Sequence, residues 1–115
     1  MPNANTLPAK YAKLATDLAH AHAVALADSA NVDDGGTCNF DSPTLRLPRW
    51  NKAHVQEAAR VAGVGCFSWT GWGSPEWVIC PRVPGQANRR TKCAERMHEV
   101  LTELGYDSGM YYQMD

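Results

Sequence analysis

Cys66-Phe67-Ser68-Trp69 and Trp77-Val78-Ile79-Cys80 are two short runs rich in aromatic and β-branched residues, with Gly71, Gly73, Ser74 and Pro75 between them. Side chains of the first kind suit a pleated, half-buried surface, and glycine, serine and proline favour turns. The pair therefore reads as a β-hairpin. On its N-terminal side, Val55, Ala58, Ala59 and Ala62 form a narrow apolar face of helical period over Lys52 to Ala62. Asn51 can cap that helix and Gly63 can stop it. Before it, Thr44-Leu45-Arg46-Leu47 alternates between Pro43 and Pro48, two residues that cannot donate to a ladder, and reads as a first strand. On the C-terminal side, a second helix opens at Asn88 or Thr91. It places Cys93, Met97, Val100, Leu101 and Leu104 on one face and ends before Gly105. Met110-Tyr111-Tyr112-Gln113-Met114 reads as a closing strand.

The resulting order is β-α-β-β-α-β, which predicts an α+β fold: a ferredoxin-like split βαβ sheet with both helices on one face. The other face of such a sheet is bare. From Pro8 to Ala27, Tyr11, Leu14, Leu18, Ala21 and Ala25 recur at three- and four-residue spacing, with Lys10, Lys13 and Asp17 elsewhere. This predicts an extra amphipathic helix, broken by Asn31 to Gly36, that covers the sheet or meets a second copy. The division is residues 1–34 for the helix and its loop and 35–115 for a single βαββαβ domain.

A length of 115 residues, 44% hydrophobic and 20% charged, suits one packed domain. The formal net charge of -1 gives no global field toward long nucleic acid or an anionic membrane. Cys38, Cys66, Cys80 and Cys93 form no C-x-x-C pair, and no secretory signal or membrane-length apolar run is visible, so reduced thiols and a cytoplasmic location are expected.

Gly85-Gln86-Ala87-Asn88-Arg89-Arg90-Thr91 is a loop entering a helix. The first N–H groups of a helix lack partners and carry partial positive charge, so anions settle there. Arg89 and Arg90 add charge-assisted donors, and Asn88, Gln86 and Thr91 add polar ones. The alternative is that Asn88 is an N-cap and both arginines are solvated. Thr37, Asn39 and Ser42, from the glycine-rich stretch before the first strand, can donate or accept around a ribose or base. That stretch also reads as an ordinary turn-rich connection. With Arg46 they are expected to share a cleft with Arg89 and Arg90.

No catalytic set, metal site or cofactor motif is apparent. His20 and His22 lie two apart on a helix and share no face. Asp33, Asp34 and Asp41 do not match a calcium loop. Cys38 has no evident histidine base. Trp50, Trp69, Trp72 and Trp77 can stack a base or fill a core, and the third strand lacks the basic-glycine-aromatic run of RNA-recognition domains.

Gly35-Gly36-Thr37-Cys38-Asn39-Phe40-Asp41-Ser42-Pro43, Gly85-Gln86-Ala87-Asn88-Arg89-Arg90-Thr91 and Met110-Tyr111-Tyr112-Gln113-Met114-Asp115 resemble small proteins of bacteriophages and integrative elements in bacteria. The likeness runs from about residue 35 to the end and omits the first helix. It implies an anti-defence factor in the host bacterial cytoplasm. One form is a homo-oligomer that binds and sequesters a phosphorylated, cyclic nucleotide immune signal without turnover. Another is an anti-CRISPR-type inhibitor that binds a host defence protein, and a third is a small enzyme acting on a nucleotide signal.

Overall fold

A computed structural model of the chain describes residues 7–33, 35–36, 39–69, 76–84 and 87–112. Its elements run α1 (Ala9–Ser29), β1 (Ser42–Leu45), α2 (Lys52–Ala62), β2 (Gly65–Trp69), β3 (Glu76–Cys80), α3 (Asn88–Glu103) and β4 (Ser108–Tyr111). The four strands form one sheet in the order β2-β3-β1-β4 with every neighbour antiparallel. This is the ferredoxin-like βαββαβ arrangement with an added N-terminal helix. The turn expected between β2 and β3 lies outside the described residues.

Local chemistry sets the helix ends. Asn51 accepts from the His54 N–H at 3.0 Å, and Gly63 closes α2 at φ 83°, a left-handed conformation that costs glycine little. The alternation within β1 to β3 sends Leu45, Trp77 and Ile79 into one core with Leu14, Leu18, Val55, Met97 and Leu101.

The added helix does not cover the bare face. It lies with α2 and α3, packing on both, while those two helices barely meet each other. Its stripe of Tyr11, Leu14, Leu18, Ala21 and Ala25 is buried in the common core. The small alanines allow α1 to approach its neighbours closely, so a thin apolar stripe is enough to fill the helical layer. Polar pins fix it. The Tyr11 hydroxyl accepts from the Asn51 N–H at 2.8 Å, and Asp17 accepts from the Tyr106 hydroxyl at 2.6 Å and from Lys13 at 2.6 Å. Asp17, read as part of the polar side of the helix, is thus buried and bonded. His22 accepts from the Arg82 N–H at 3.1 Å, and Arg96 pairs with Asp28 at 2.7 Å.

Two strands are displaced from their expected positions. β1 begins at Ser42, so Pro43 lies inside a central strand rather than before it. The β1–β4 ladder has partners from Ser42 to Leu45, whereas the β1–β3 ladder pairs only Thr44 and Leu45. A missing N–H on the β3 side of Pro43 accounts for that short ladder. β4 is Ser108–Tyr111, earlier than the expected Met110 to Met114, of which 113–114 lie outside the described residues. At Gly109 a Cβ would stand 3.0 Å from the Thr44 hydroxyl across the ladder, so a side chain there would press on it.

Candidate functional site

Where the β1–β3 ladder stops, Arg90 enters. From the first turn of α3 it donates to the Pro81 carbonyl at 3.3 Å and to the Ser42 hydroxyl at 3.1 Å, bridging the end of β3 to the start of β1. Those bonds use two of the five N–H donors of a guanidinium. Its Nε is buried with no acceptor among the described residues. Nor does any described carboxylate form an ion pair with it. Arg90 is only partly buried, and its terminal nitrogens are bonded, but a buried N–H donor without an acceptor is costly, and a bound anion would offset that cost.

Arg90 also lines a cavity of about 210 Å³ on the helix-free face, together with Phe40, Ser42, Phe67, Val78, Cys80 and Tyr111. The strands explain this composition. Phe67 pairs with Val78, Val78 with Thr44, and Ser42 with Tyr111, so these side chains share the face opposite Leu45, Trp77 and Ile79. The central strands contribute small side chains, Ser42, Thr44 and Cys80. The edge strands contribute Phe67 and Tyr111. Phe40, two residues before Ser42, is 51% exposed and Phe67 is 47% exposed, and both are large apolar groups offered to solvent.

The expected cleft is only partly assembled. Arg89 donates from Nε to the Val32 carbonyl at 3.0 Å and from a terminal nitrogen to the Pro84 carbonyl at 3.1 Å, so it ties two loops together. The Thr91 hydroxyl donates to Asp41 at 2.8 Å and accepts from the Asn39 amide at 3.0 Å. The Asn39 amide also reaches the Ala87 carbonyl at 3.1 Å. Asn39 and Thr91 therefore fasten the segment before β1 to the start of α3. Asn88 is not the cap: Ala87 holds that position at φ 55°, and the Asn88 N–H donates to the Gly35 carbonyl at 3.1 Å. Arg46 lies just past the other end of β1, where its N–H bonds the Asp107 carbonyl at 3.0 Å. Four residues of strand, about 13 Å, separate it from Ser42. Arg46 is therefore remote from Arg90. Thr37 and Gln86 lie outside the described residues. Of the expected set, Arg90 and Ser42 line the cavity, and Asn39 and Thr91 support its rim.

Sequence reading missed Phe40, Phe67, Cys80 and Tyr111. Period-2 alternation through Cys66-Phe67 and Ile79-Cys80 could have found two of them, because it sends Phe67 and Cys80 away from the helices. The tryptophans drew attention instead. Trp77 is buried in the core, and Trp50 packs edge-on against Tyr11 with centroids 5.2 Å apart.

Of the described thiols outside the cavity, neither Cys66 nor Cys93 is activated. Burial, with a smaller contribution from Cys80, pushes the Cys66 thiol up to about 11, so it stays protonated at neutral pH. Burial also raises Cys93, against a hydrogen bond from Ser29 and the charge of Arg90. Among the described residues, no group of three or more His, Cys, Asp or Glu side chains could hold a metal ion, and no helix is long and apolar enough to cross a membrane. Comparison with family models, with curated proteins and with solved structures gives no match to this chain.

Proposed function

We propose that the protein acts by binding a phosphorylated nucleotide on the helix-free face of its sheet. The observation that carries this reading is Arg90, a cation with no carboxylate partner among the described residues, set in the wall of an aromatic-lined cavity. Aromatic side chains offer π-faces to a planar base, and a guanidinium offers forked donors to a phosphate. The cavity is smaller than the roughly 300–1,000 Å³ clefts that bury whole ligands, so the ligand lies across a platform and keeps part of its surface in water. Among the described residues, Cys80 is the thiol that lines the cavity, and no histidine lines it. The likeness of three motifs to phage and mobile-element proteins fits sequestration of a host nucleotide signal. Phe40 and Phe67 also suit the rival reading, in which a host defence protein docks on this face.

Native mass spectrometry of the protein after incubation with a bacterial nucleotide extract tests the proposal. The expected result is an intact phosphorylated nucleotide retained by the protein and lost in Phe67→Ala, whose half-exposed ring makes little difference to folding. A chemically altered nucleotide would mean catalysis. Retention of none would leave this face to a protein partner and end the proposal. The same spectrum reads the oligomeric state.

A further inference from the structure

We propose that the outer edge of β4 is the surface through which two copies of this chain pair, antiparallel about a twofold axis at Met110, so that their sheets join; the pairing does not depend on what the helix-free face binds. β4 is an edge strand with β1 on its inner side. Its register runs from Ser42 opposite Tyr111 to Leu45 opposite Ser108, and the Arg46 N–H, bonded to the Asp107 carbonyl at 3.0 Å, continues it by one step. In an antiparallel pair, residues that exchange hydrogen bonds alternate with residues whose N–H and C=O groups point away. Asp107, Gly109 and Tyr111 are thus turned toward β1. Ser108 and Met110 turn their backbone groups outward, where no described residue bonds them. Exposed edges are commonly guarded by lysine, proline or another charge, and Ser108-Gly109-Met110-Tyr111 carries none of these.

The edge is complementary to itself. With Met110 opposite the partner's Met110, each donates to the other's carbonyl, Ser108 faces the partner's Tyr112, and Gly109 faces the partner's Tyr111. A glycine opposite an aromatic ring is a favourable cross-strand pair, because the ring covers the backbone that glycine leaves bare. On the helical side, Lys92, Glu95, His98, Glu99, Met110 and Tyr112 line an open trough of about 380 Å³ between α3 and β4. His98 bonds the Ser108 hydroxyl at 2.9 Å and the Tyr112 hydroxyl donates to Glu95 at 2.9 Å, which aligns the helix with the strand. The axis at Met110 therefore sets the Lys92 and Glu95 end of one α3 beside the His98 and Glu99 end of the other. Lys92, which no described carboxylate pairs, then meets the partner's Glu99, and Glu95 meets the partner's His98. An extended peptide of another protein can add to the same edge, but this arrangement of both charge signs favours a second copy.

Sedimentation of the full chain over a concentration series, without nucleotide, is the direct experiment, and the expected result is a dimer in equilibrium with its monomer. Because the Met110 N–H points away from β1, Met110→Pro takes nothing from the β1–β4 ladder, and an edge strand tolerates proline there. It removes one interface donor from each copy. Its dissociation constant should rise by about fivefold to a hundredfold, with the fold monitored by circular dichroism. Lys92→Glu puts like charges together at both ends of the interface and should weaken the dimer by about fivefold, and adding Glu99→Lys to the same chain should restore it. These two positions are exposed, so the swap reads the interface even where Met110→Pro fails to fold. A monomer at every concentration overturns the proposal and leaves the edge to another protein's strand. A dimer that a folded Met110→Pro leaves unchanged, or a Lys92→Glu loss that Glu99→Lys does not repair, overturns it as well.

Discussion

The two faces of the sheet are built from the same strands and solve opposite problems. On one, Leu45, Trp77 and Ile79 meet three helices, and the side chains that fill the layer are almost wholly removed from water. On the other, Ser42, Thr44 and Val78 are buried although no described helix packs over them, Cys80 is partly buried, and Phe40 and Phe67 are about half exposed. Alternation with period 2 assigns each residue of a strand to one of these faces, so stability and binding can be altered separately. The added helix sharpens the contrast. By filling the layer between α2 and α3 it completes the helical face and leaves the other without a helix.

The largest expected difference between the faces is in stability. Leu18 is fully buried on α1, and Leu18→Ala should cost about 2–5 kcal/mol through lost burial and the cavity left behind. Thermal unfolding should shift down by roughly 10 °C or more. Phe67→Ala should stay within about 1 kcal/mol of the parent, since its ring is already half in water. Equal losses for the two variants would erase the distinction. Next comes Arg89→Ala, which leaves the Val32 and Pro84 carbonyls without their charged donor and should cost about 1–3 kcal/mol in chemical denaturation. Nucleotide affinity should change far less than in Phe67→Ala, because Arg89 does not line the cavity.

A smaller effect of opposite sign is expected at the cap of α3. Ala87 sits at φ 55°, a region costing a non-glycine residue about 1–3 kcal/mol, while its buried methyl contributes roughly 0.8. Ala87→Gly should therefore raise the melting temperature by a few degrees, and a fall would show the methyl contact to dominate. The smallest effect concerns pH. Desolvation, aided by the positive charge of Arg82, holds His22 below its ordinary value of 6.5, outweighing the hydrogen bond that a protonated Nε2 would donate to the Arg82 carbonyl. The unfolded chain then binds a proton more readily than the folded one. This contribution to stability is present above about pH 6.5 and is lost as the pH falls through that value toward the lower folded one. Melting curves between pH 7.5 and 5 should show a decline that His22→Gln flattens.

The element order was legible because each local rule agreed with the fold: Asn51 and Gly63 bound α2, and the two aromatic runs pair as β2 and β3. The start of β1 was not. A proline inside a central strand runs against the usual rule, and the compensation, Arg90 reaching across from α3, involves residues 48 positions apart. Arg89 and Arg90 were read as equivalent because they are adjacent in sequence. Helical geometry turns successive side chains about 100° apart, so one meets the carbonyls of two loops and the other meets the sheet. Arg46 was grouped with them through its charge. The strand carries it to the opposite end.

Whether the helix-free face is the binding face can be read most directly by following backbone amide resonances while a nucleoside monophosphate is titrated into the protein. The largest shifts should fall at Phe40, Ser42, Phe67, Val78, Cys80, Arg90 and Tyr111, with α1 and α2 unmoved. Shifts concentrated on α1 and α2, with Phe67 and Tyr111 unchanged, would contradict the account.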